Sequence, residues 1–92
     1  MSIEELVEWL RDPAKATYLA VLIALHDNAV FHRVHPKPLN ELLSKLLIPK
    51  ENAISILRKL EEKGLVEVKN ENVYLTELGA KVVELARWGR KI

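Results

Sequence analysis

The segment from residue 39 to residue 68 constrains the fold more than any other part of the chain. Leucines recur at helical spacing from Leu39 to Leu47, which predicts a short amphipathic helix. Ile48 and Pro49 interrupt this pattern. A second helical pattern then runs from residue 50 to residue 63, and Gly64 supplies its C-terminal cap. A β-branched stretch follows at once, so the chain must place two short helices, separated by a tight break, directly before a strand.

Capping signals mark where the helices begin. Ser2 and Glu5 have the spacing of a capping box. Asp12 followed by Pro13 is typical of an N-cap and the first helical position. Asn40 is predicted to cap the first helix of the two-helix unit.

The remaining signals complete a mainly helical domain. "LVEVK" and "VYL" flank "NEN", which predicts a strand, a turn and a strand, and Thr76 is placed to cap a last helix. We therefore expect one domain spanning residues 1–92, mainly α with a small β-hairpin. Its predicted parts are an N-terminal helix over 3–11, a helix over 13–27, the two-helix unit over 40–64, a hairpin over 65–75 and a C-terminal helix over 76–88.

Composition limits the core and the class of protein. The chain has 92 residues, is 49% hydrophobic and holds five aromatic residues, so its core must be aliphatic and only marginally stable alone. It has no cysteine, which excludes disulfides and thiolate metal sites and leaves self-association as a common source of stability. Abundant Lys, Arg and Glu without any glutamine resembles the composition of hyperthermophile proteins.

Charge and hydropathy narrow the expected partners. The net charge is +1, with ten basic and eight acidic residues between 39 and 92, so any nucleic-acid surface must be a local patch. The N-terminus lacks the pattern of a signal peptide. The longest apolar run, from Tyr18 to Leu25, is far shorter than the roughly 20 residues that span a bilayer. We expect a cytoplasmic protein with no membrane partner.

Two segments connect these elements to a known family. "LNELLSKLLIPKENAISILRKLEEKGLVEV", followed by "VYLTELGAKVVELA", closely resembles the winged-helix transcription regulators of archaea and bacteria, including MarR-like and ArsR-like repressors. The resemblance covers residues 14–87, and "LRKLEEKGLVE" and "YLTELG" are its most specific parts. It implies a winged helix-turn-helix fold and a homodimer that binds double-stranded DNA with helix 50–63 in the major groove.

The predicted outer face of helix 50–63 has side chains suited to reading bases. Asn52 can bond adenine in two places, Arg58 or Lys50 can reach guanine, Ile54 can touch a thymine methyl and Glu51 can accept from cytosine. The alternative is a solvated helix face without contacts. The full set of predicted DNA-binding residues is Lys45, Lys50, Glu51, Asn52, Ile54, Ser55, Arg58, Lys59, Lys69, Asn70 and Asn72.

The sequence departs from the family pattern at three places. Leu47 stands where many relatives have glycine, and because leucine is strained at positive φ we expect a differently shaped turn. Ile54 replaces a usually polar residue and can instead face a protein. The hairpin tip has one cation, Lys69, so a turn without DNA contact is equally open. The alternative function is a winged-helix protein-interaction module, such as a subunit of replication, transcription or segregation machinery.

The connector "FHRVHPKP" holds Arg33 and Lys37, which can contact phosphate or simply form a polar link. Metal and catalytic sites are not expected. The spacing of His26, Asp27, His32 and His35 matches no compact ligand pair on one helix. No nucleophile–base pair or phosphate-binding glycine loop stands out. We therefore expect no metal, no cofactor and no enzymatic activity.

Both ends of the chain have apolar residues in excess of what one small core buries. Trp9 lies off the apolar stripe of the first helix, and Trp88 lies near the chain end. Because paired terminal helices form the dimer interface in many winged-helix regulators, we expect a homodimer. The alternative is that the two tryptophans pack the terminal helices together within one chain. The predicted dimer contacts are Leu6, Trp9, Leu10, Leu85 and Trp88.

Overall fold

The structure is a computed structural model that describes residues 2–27 and 37–87. This part of the chain is mainly helical with a small antiparallel sheet, as the sequence predicts. Its elements are α1 (Ile3–Arg11), a 3-10 turn (Pro13–Lys15), α2 (Ala16–Asp27), β1 (Lys37–Pro38), α3 (Leu39–Leu46), α4 (Lys50–Glu62), β2 (Val66–Lys69), β3 (Asn72–Leu75) and α5 (Glu77–Arg87).

The predicted capping box begins α1. The Ser2 hydroxyl accepts from the Glu5 backbone N–H at 3.1 Å, and the Ser2 N–H donates to the Glu5 carboxylate at 2.8 Å. The donated backbone hydrogen bond lowers the pKa of the Glu5 carboxyl. Asp12 likewise accepts from the Ala14 N–H at 3.0 Å, although a 3-10 turn precedes the regular helix, which begins at Ala16.

The prediction that Asn40 caps α3 is wrong. The helix begins at Leu39, its N-cap is Pro38 and no side chain caps it. Pro38 pairs with β3 as the last residue of β1. The chain therefore turns from extended to helical directly after Pro38, two residues earlier than an N-cap at Asn40 predicts.

The sheet has three strands in the order β1-β3-β2, with both neighbouring pairs antiparallel. The hairpin of β2 and β3 is confirmed, and Lys69 pairs with Asn72 to close it. β1 was not predicted because it has only two residues and one of them is proline. Through Lys37 opposite Val73, it ties the chain that leads into α3 to the hairpin.

The core is aliphatic, and α2 contacts α1, α3, α4, α5 and β3. This central position explains why the α2 sequence is apolar almost all round. Leu6 and Leu10 of α1 are only 1% and 2% exposed within the single chain. Side chains that are buried in this way cannot contact a second copy of the folded chain. The prediction that Leu6 and Leu10 are dimer contacts is therefore wrong.

Thr76 joins the end of α4, the start of β2 and the start of α5. Its hydroxyl accepts from the Gly79 N–H at 2.9 Å, which caps α5 as predicted. The same oxygen lies 2.7 Å from the Gly64 carbonyl and 3.0 Å from the Leu65 carbonyl, to which it can donate. Glycine is favoured at position 79 because a Cβ there would lie 2.1 Å from the Leu65 carbonyl oxygen.

Candidate functional site

The α4 helix has two distinct faces. Its inner residues Ala53, Ile56, Leu57 and Leu60 are buried, which confirms the predicted helical register. The helix has 13 residues and is therefore about 20 Å long. The exposed outer residues are Lys50, Glu51, Asn52, Ser55, Arg58 and Lys59, and Ile54 is half-buried beside them.

The break between α3 and α4 is formed by Leu47, Ile48 and Pro49. Leu47 has φ 55° and ψ 39°, in the left-handed region, so our expectation that leucine would force a differently shaped turn is wrong. Leu46 and Ile48 pack against the core on either side and hold the turn between them. The Leu47 side chain is 90% exposed, so no packing offsets its backbone strain, which is about 1–2 kcal/mol.

The outer face of α4 offers cations that are available for a ligand. Within the described residues, Lys50 and Arg58 are exposed and have no ion-pair partner. Lys59 lies 3.7 Å from the Glu62 carboxylate, but both side chains are exposed and such a pair contributes at most about 1 kcal/mol. Lys45 is exposed on α3. A polyanion can therefore reach Lys50 and Arg58 without breaking an ion pair among the described residues.

The hairpin tip is the turn that joins β2 to β3. Lys69 and Asn70 are exposed, and Asn72 is half-buried. Asn70 and Glu71 both have positive φ, at 52° and 64°, which is the pattern of a two-residue type I′ turn. Glycine is the usual residue at the second position, so Glu71 adds backbone strain as well as a negative charge at the tip.

A groove lies between α4 and β2. It has a volume of about 290 Å³ and is lined by Ile54, Leu57, Arg58, Glu61 and Val68. At its edge, the Val68 N–H donates to the Glu61 carboxylate at 3.1 Å. The sequence pointed to Ile54 and Arg58 but not to Glu61 or Val68. The spacing of residues 54, 58 and 61 along one helix face was a signal for Glu61; no local signal marks Val68, which the fold brings there.

Trp9 packs within its own chain. Its ring meets the Tyr18 ring edge-on, with centroids 5.3 Å apart. The Lys63 and Lys15 ammonium groups lie 5.1 and 5.7 Å from the Trp9 ring centroid, at cation–π distances. Leu85 is half-buried and packs against the core. Trp88, the other tryptophan among the predicted dimer contacts, lies outside the described residues.

The histidine and carboxylate residues considered as metal ligands are engaged elsewhere or not described. His26 Nε2 lies 3.2 Å from Glu84, and Asp27 pairs with Arg87 at 2.8 Å. Across residues 2–27 and 37–87, no group of three His, Asp or Glu side chains is arranged to hold a metal ion. His32, His35 and Arg33 lie outside the described residues, as does the side chain of Lys37.

In comparisons with protein-family models, curated proteins and solved structures, no match to this chain was found. Among the helices of residues 2–27 and 37–87, none is long and apolar enough to cross a bilayer. Any function therefore has to be argued from the geometry of α4, the α3–α4 turn and the hairpin.

Proposed function

We propose that the chain is a winged-helix, sequence-specific DNA-binding regulator of transcription. In this proposal α3 and α4 form the helix-turn-helix, and the β2–β3 hairpin is the wing. β1 completes the small sheet beside them. The role requires no catalytic group, metal or cofactor, and it belongs in the cytoplasm.

The observation that carries the proposal is the division of α4 into a buried and a polar face. A helix can read bases only if one side is anchored and the other projects freely. The anchored side is that of Ile56, Leu57 and Leu60. The free side begins at the first helical residue with Lys50 and continues through Asn52 to Arg58. The major groove, about 12 Å wide, admits a helix of this kind.

The exposed residues fall into two roles. Asn52 and Arg58 match the bidentate donors and acceptors that distinguish adenine and guanine, and Lys50, Glu51, Ile54 and Ser55 lie beside them on the same face. The phosphate contacts come from exposed lysines on three elements, with Asn70 and Asn72 available at the hairpin tip. These lysines are Lys45, Lys50, Lys59 and Lys69.

The proposal includes a homodimer, because a two-fold protein reads an inverted repeat with half-sites one helical turn, about 34 Å, apart. Trp9 and Leu85 are half-buried in the single chain. Each therefore retains some surface that a second copy can cover. Leu6 and Leu10 have no such surface, so their role is in the core of each subunit.

The test is selection of a preferred duplex from a randomised pool, followed by titration of labelled DNA. Replacing Asn52 or Arg58 by alanine is expected to cost about 1–3 kcal/mol on the preferred site and to blur its sequence. Lys69→Ala should weaken binding to all sequences alike. Lys81→Ala is the matched control, because Lys81 is an exposed cation on α5. If Arg58→Ala and Lys81→Ala give the same affinity and specificity, α4 does not read DNA.

The groove beside Ile54 favours a second candidate function. A half-buried isoleucine on a helix face that also borders a strand is suited to an apolar protein side chain. A winged-helix domain used for protein contacts, as a subunit of replication, transcription or segregation machinery, would use this surface. The two functions assign different ligands to Arg58. In the first the ligand is a DNA duplex, and in the second it is a partner protein.

A further inference from the structure

The groove between α4 and β2 combines an apolar floor with two charged rims. Ile54, Leu57 and Val68 provide aliphatic surface, while Arg58 and Glu61 carry opposite charges at its edge. Its volume of about 290 Å³ lies just below the roughly 300–1,000 Å³ of ligand sites. The groove therefore has room for one or two side chains rather than for a large cofactor.

The register of the hairpin shows that β2 presents a backbone donor to this groove. Lys69 and Asn72 close the two-residue turn as a hydrogen-bonded pair, and the Thr76 N–H donates to the Leu65 carbonyl at 3.2 Å. Residues 67 and 69 therefore bond to β3, and the Leu65 carbonyl bonds to Thr76 directly after it. Because backbone groups alternate along a strand, the Val68 N–H points away from β3, on the free side of the edge strand.

Glu61 occupies that donor in place of a strand carbonyl. Its carboxylate accepts from the Val68 N–H at 3.1 Å. Glu61 is exposed, so this bond is at the surface and a solvated carboxylate loses little when another acceptor replaces it. A backbone carbonyl from an extended peptide is an acceptor of the right kind for the edge of a sheet.

Arg58 is the cation of the groove and can pair with a carboxylate of a partner, whereas the Glu61 carboxylate is already hydrogen-bonded to the Val68 N–H. Arg58 is exposed and has no ion-pair partner among the described residues. A carboxylate on the incoming peptide can pair with its guanidinium in a bidentate geometry. The aliphatic floor next to Arg58 has no counterpart in a phosphodiester backbone but fits an apolar side chain. The chemistry of the whole groove thus favours a peptide over a nucleic acid.

We propose that the α4–β2 groove binds an extended acidic peptide segment of a partner protein. An apolar side chain of the segment lies between Ile54, Leu57 and Val68, and a carboxylate two residues away pairs with Arg58. A peptide carbonyl replaces Glu61 on the Val68 N–H. In an extended chain, side chains two residues apart share one face, which matches an apolar and an acidic group on the same side of the groove. Since Arg58 also belongs to the proposed DNA-reading face, a bound peptide and a bound duplex exclude each other where the proposed function holds.

The experiment follows the backbone amides of the ¹⁵N-labelled full chain by NMR. The probe is the blocked pentapeptide Thr-Leu-Thr-Glu-Thr, and its control has lysine in place of glutamate. We expect the acidic peptide to shift the amides of Ile54 and Val68 in a saturable way, with affinity roughly tenfold above that of the lysine peptide. Arg58→Glu should reverse this preference, and Glu61→Ala should tighten binding because it frees the Val68 N–H. Both residues are exposed, and dispersed amide spectra verify that the variants fold.

Three outcomes overturn the inference. The first is that the acidic peptide causes no saturable shifts at Ile54 and Val68. The second is that Arg58→Glu still prefers the acidic peptide to the lysine peptide. The third is that Glu61→Ala binds the acidic peptide more weakly than the unsubstituted protein does. A short DNA duplex, titrated in parallel, separates this inference from the proposed function. If the duplex shifts these amides and the acidic peptide does not, the groove belongs to the DNA interface and the inference fails alone. If the peptide binds and no duplex does, the inference stands and the DNA proposal fails.

Discussion

Replacing Gly79 by alanine sets two physical effects of opposite sign against each other. Gly79 lies in the first turn of α5, and its N–H donates to the Thr76 hydroxyl. In a helix interior, alanine is favoured over glycine by about 1 kcal/mol. Helix propensity alone therefore predicts that Gly79→Ala stabilises the protein.

The packing around Gly79 predicts the reverse. An added Cβ would lie 2.1 Å from the Leu65 carbonyl oxygen and 2.8 Å from the Leu75 Cδ1. An ordinary carbon–oxygen contact is about 3.3 Å or longer, so α5 and the start of β2 would have to separate by more than about 1 Å. That carbonyl also accepts from the Thr76 N–H at 3.2 Å, and the shift would strain this bond. Overpacking costs about 1–3 kcal/mol, and a contact of 2.1 Å to a backbone atom belongs at the upper end of that range. With about 1 kcal/mol of helix propensity subtracted, we expect a net loss of about 2 kcal/mol.

Urea unfolding followed by circular dichroism measures this difference. A domain of 92 residues has a free energy of unfolding of about 5–14 kcal/mol, so the variant should still fold. Gly64→Ala is the matched control. Gly64 has φ +78°, yet an added Cβ would meet only the Leu78 Cδ2 at an ordinary 3.7 Å, so its cost is from the backbone alone, about 1 kcal/mol. Overpacking at Gly79 is excluded if Gly79→Ala is as stable as the unsubstituted protein or loses less free energy of unfolding than Gly64→Ala.

Four further outcomes are expected. Leu57→Ala should reduce the free energy of unfolding by about 2–5 kcal/mol because Leu57 is 4% exposed and leaves a cavity under α4; a loss well below 1 kcal/mol would contradict the helical register. Leu47→Gly should instead stabilise by about 1 kcal/mol in the same assay, since it removes the strain of φ 55° from a side chain without packing. Glu71→Gly should also stabilise by about 1 kcal/mol whereas Glu71→Gln should not, which separates backbone strain from charge at the hairpin tip. Sedimentation at micromolar protein should give a mass near 21 kDa, twice the 10.5 kDa of one chain, and a mass near 10.5 kDa would exclude the homodimer.

Elements with strong local signals could be predicted from the sequence. The capping box of Ser2 and Glu5 begins α1 as expected, and the apolar stripe of α4 is buried in the predicted register. The hairpin around residues 70 and 71 also forms where turn residues separate two β-branched runs. In each case the interactions that fix the element lie within a few residues of one another.

Features that depend on distant parts of the chain could not be predicted. β1 exists because Lys37 and Pro38 meet β3 more than 30 residues later, and this pairing also moves the start of α3 to Leu39. Leu47 adopts the left-handed region because its neighbours are held by the core, which outweighs the local preference of leucine. The groove was missed for the same reason, since Val68 reaches α4 only through the turn at Gly64.

The central claim is that the exposed face of α4 binds the DNA backbone and bases, and the dependence of affinity on salt tests it most directly. Four phosphate contacts per subunit, from Lys45, Lys50, Lys59 and Lys69, give about eight in a dimer. The logarithm of the association constant should then fall against the logarithm of salt concentration with a slope of about −7. Lys50→Ala should make the slope less steep by about 2, because it removes one contact from each subunit, while Lys81→Ala should leave it unchanged. The absence of duplex binding at low salt, or a slope that Lys50→Ala does not alter, would contradict the account.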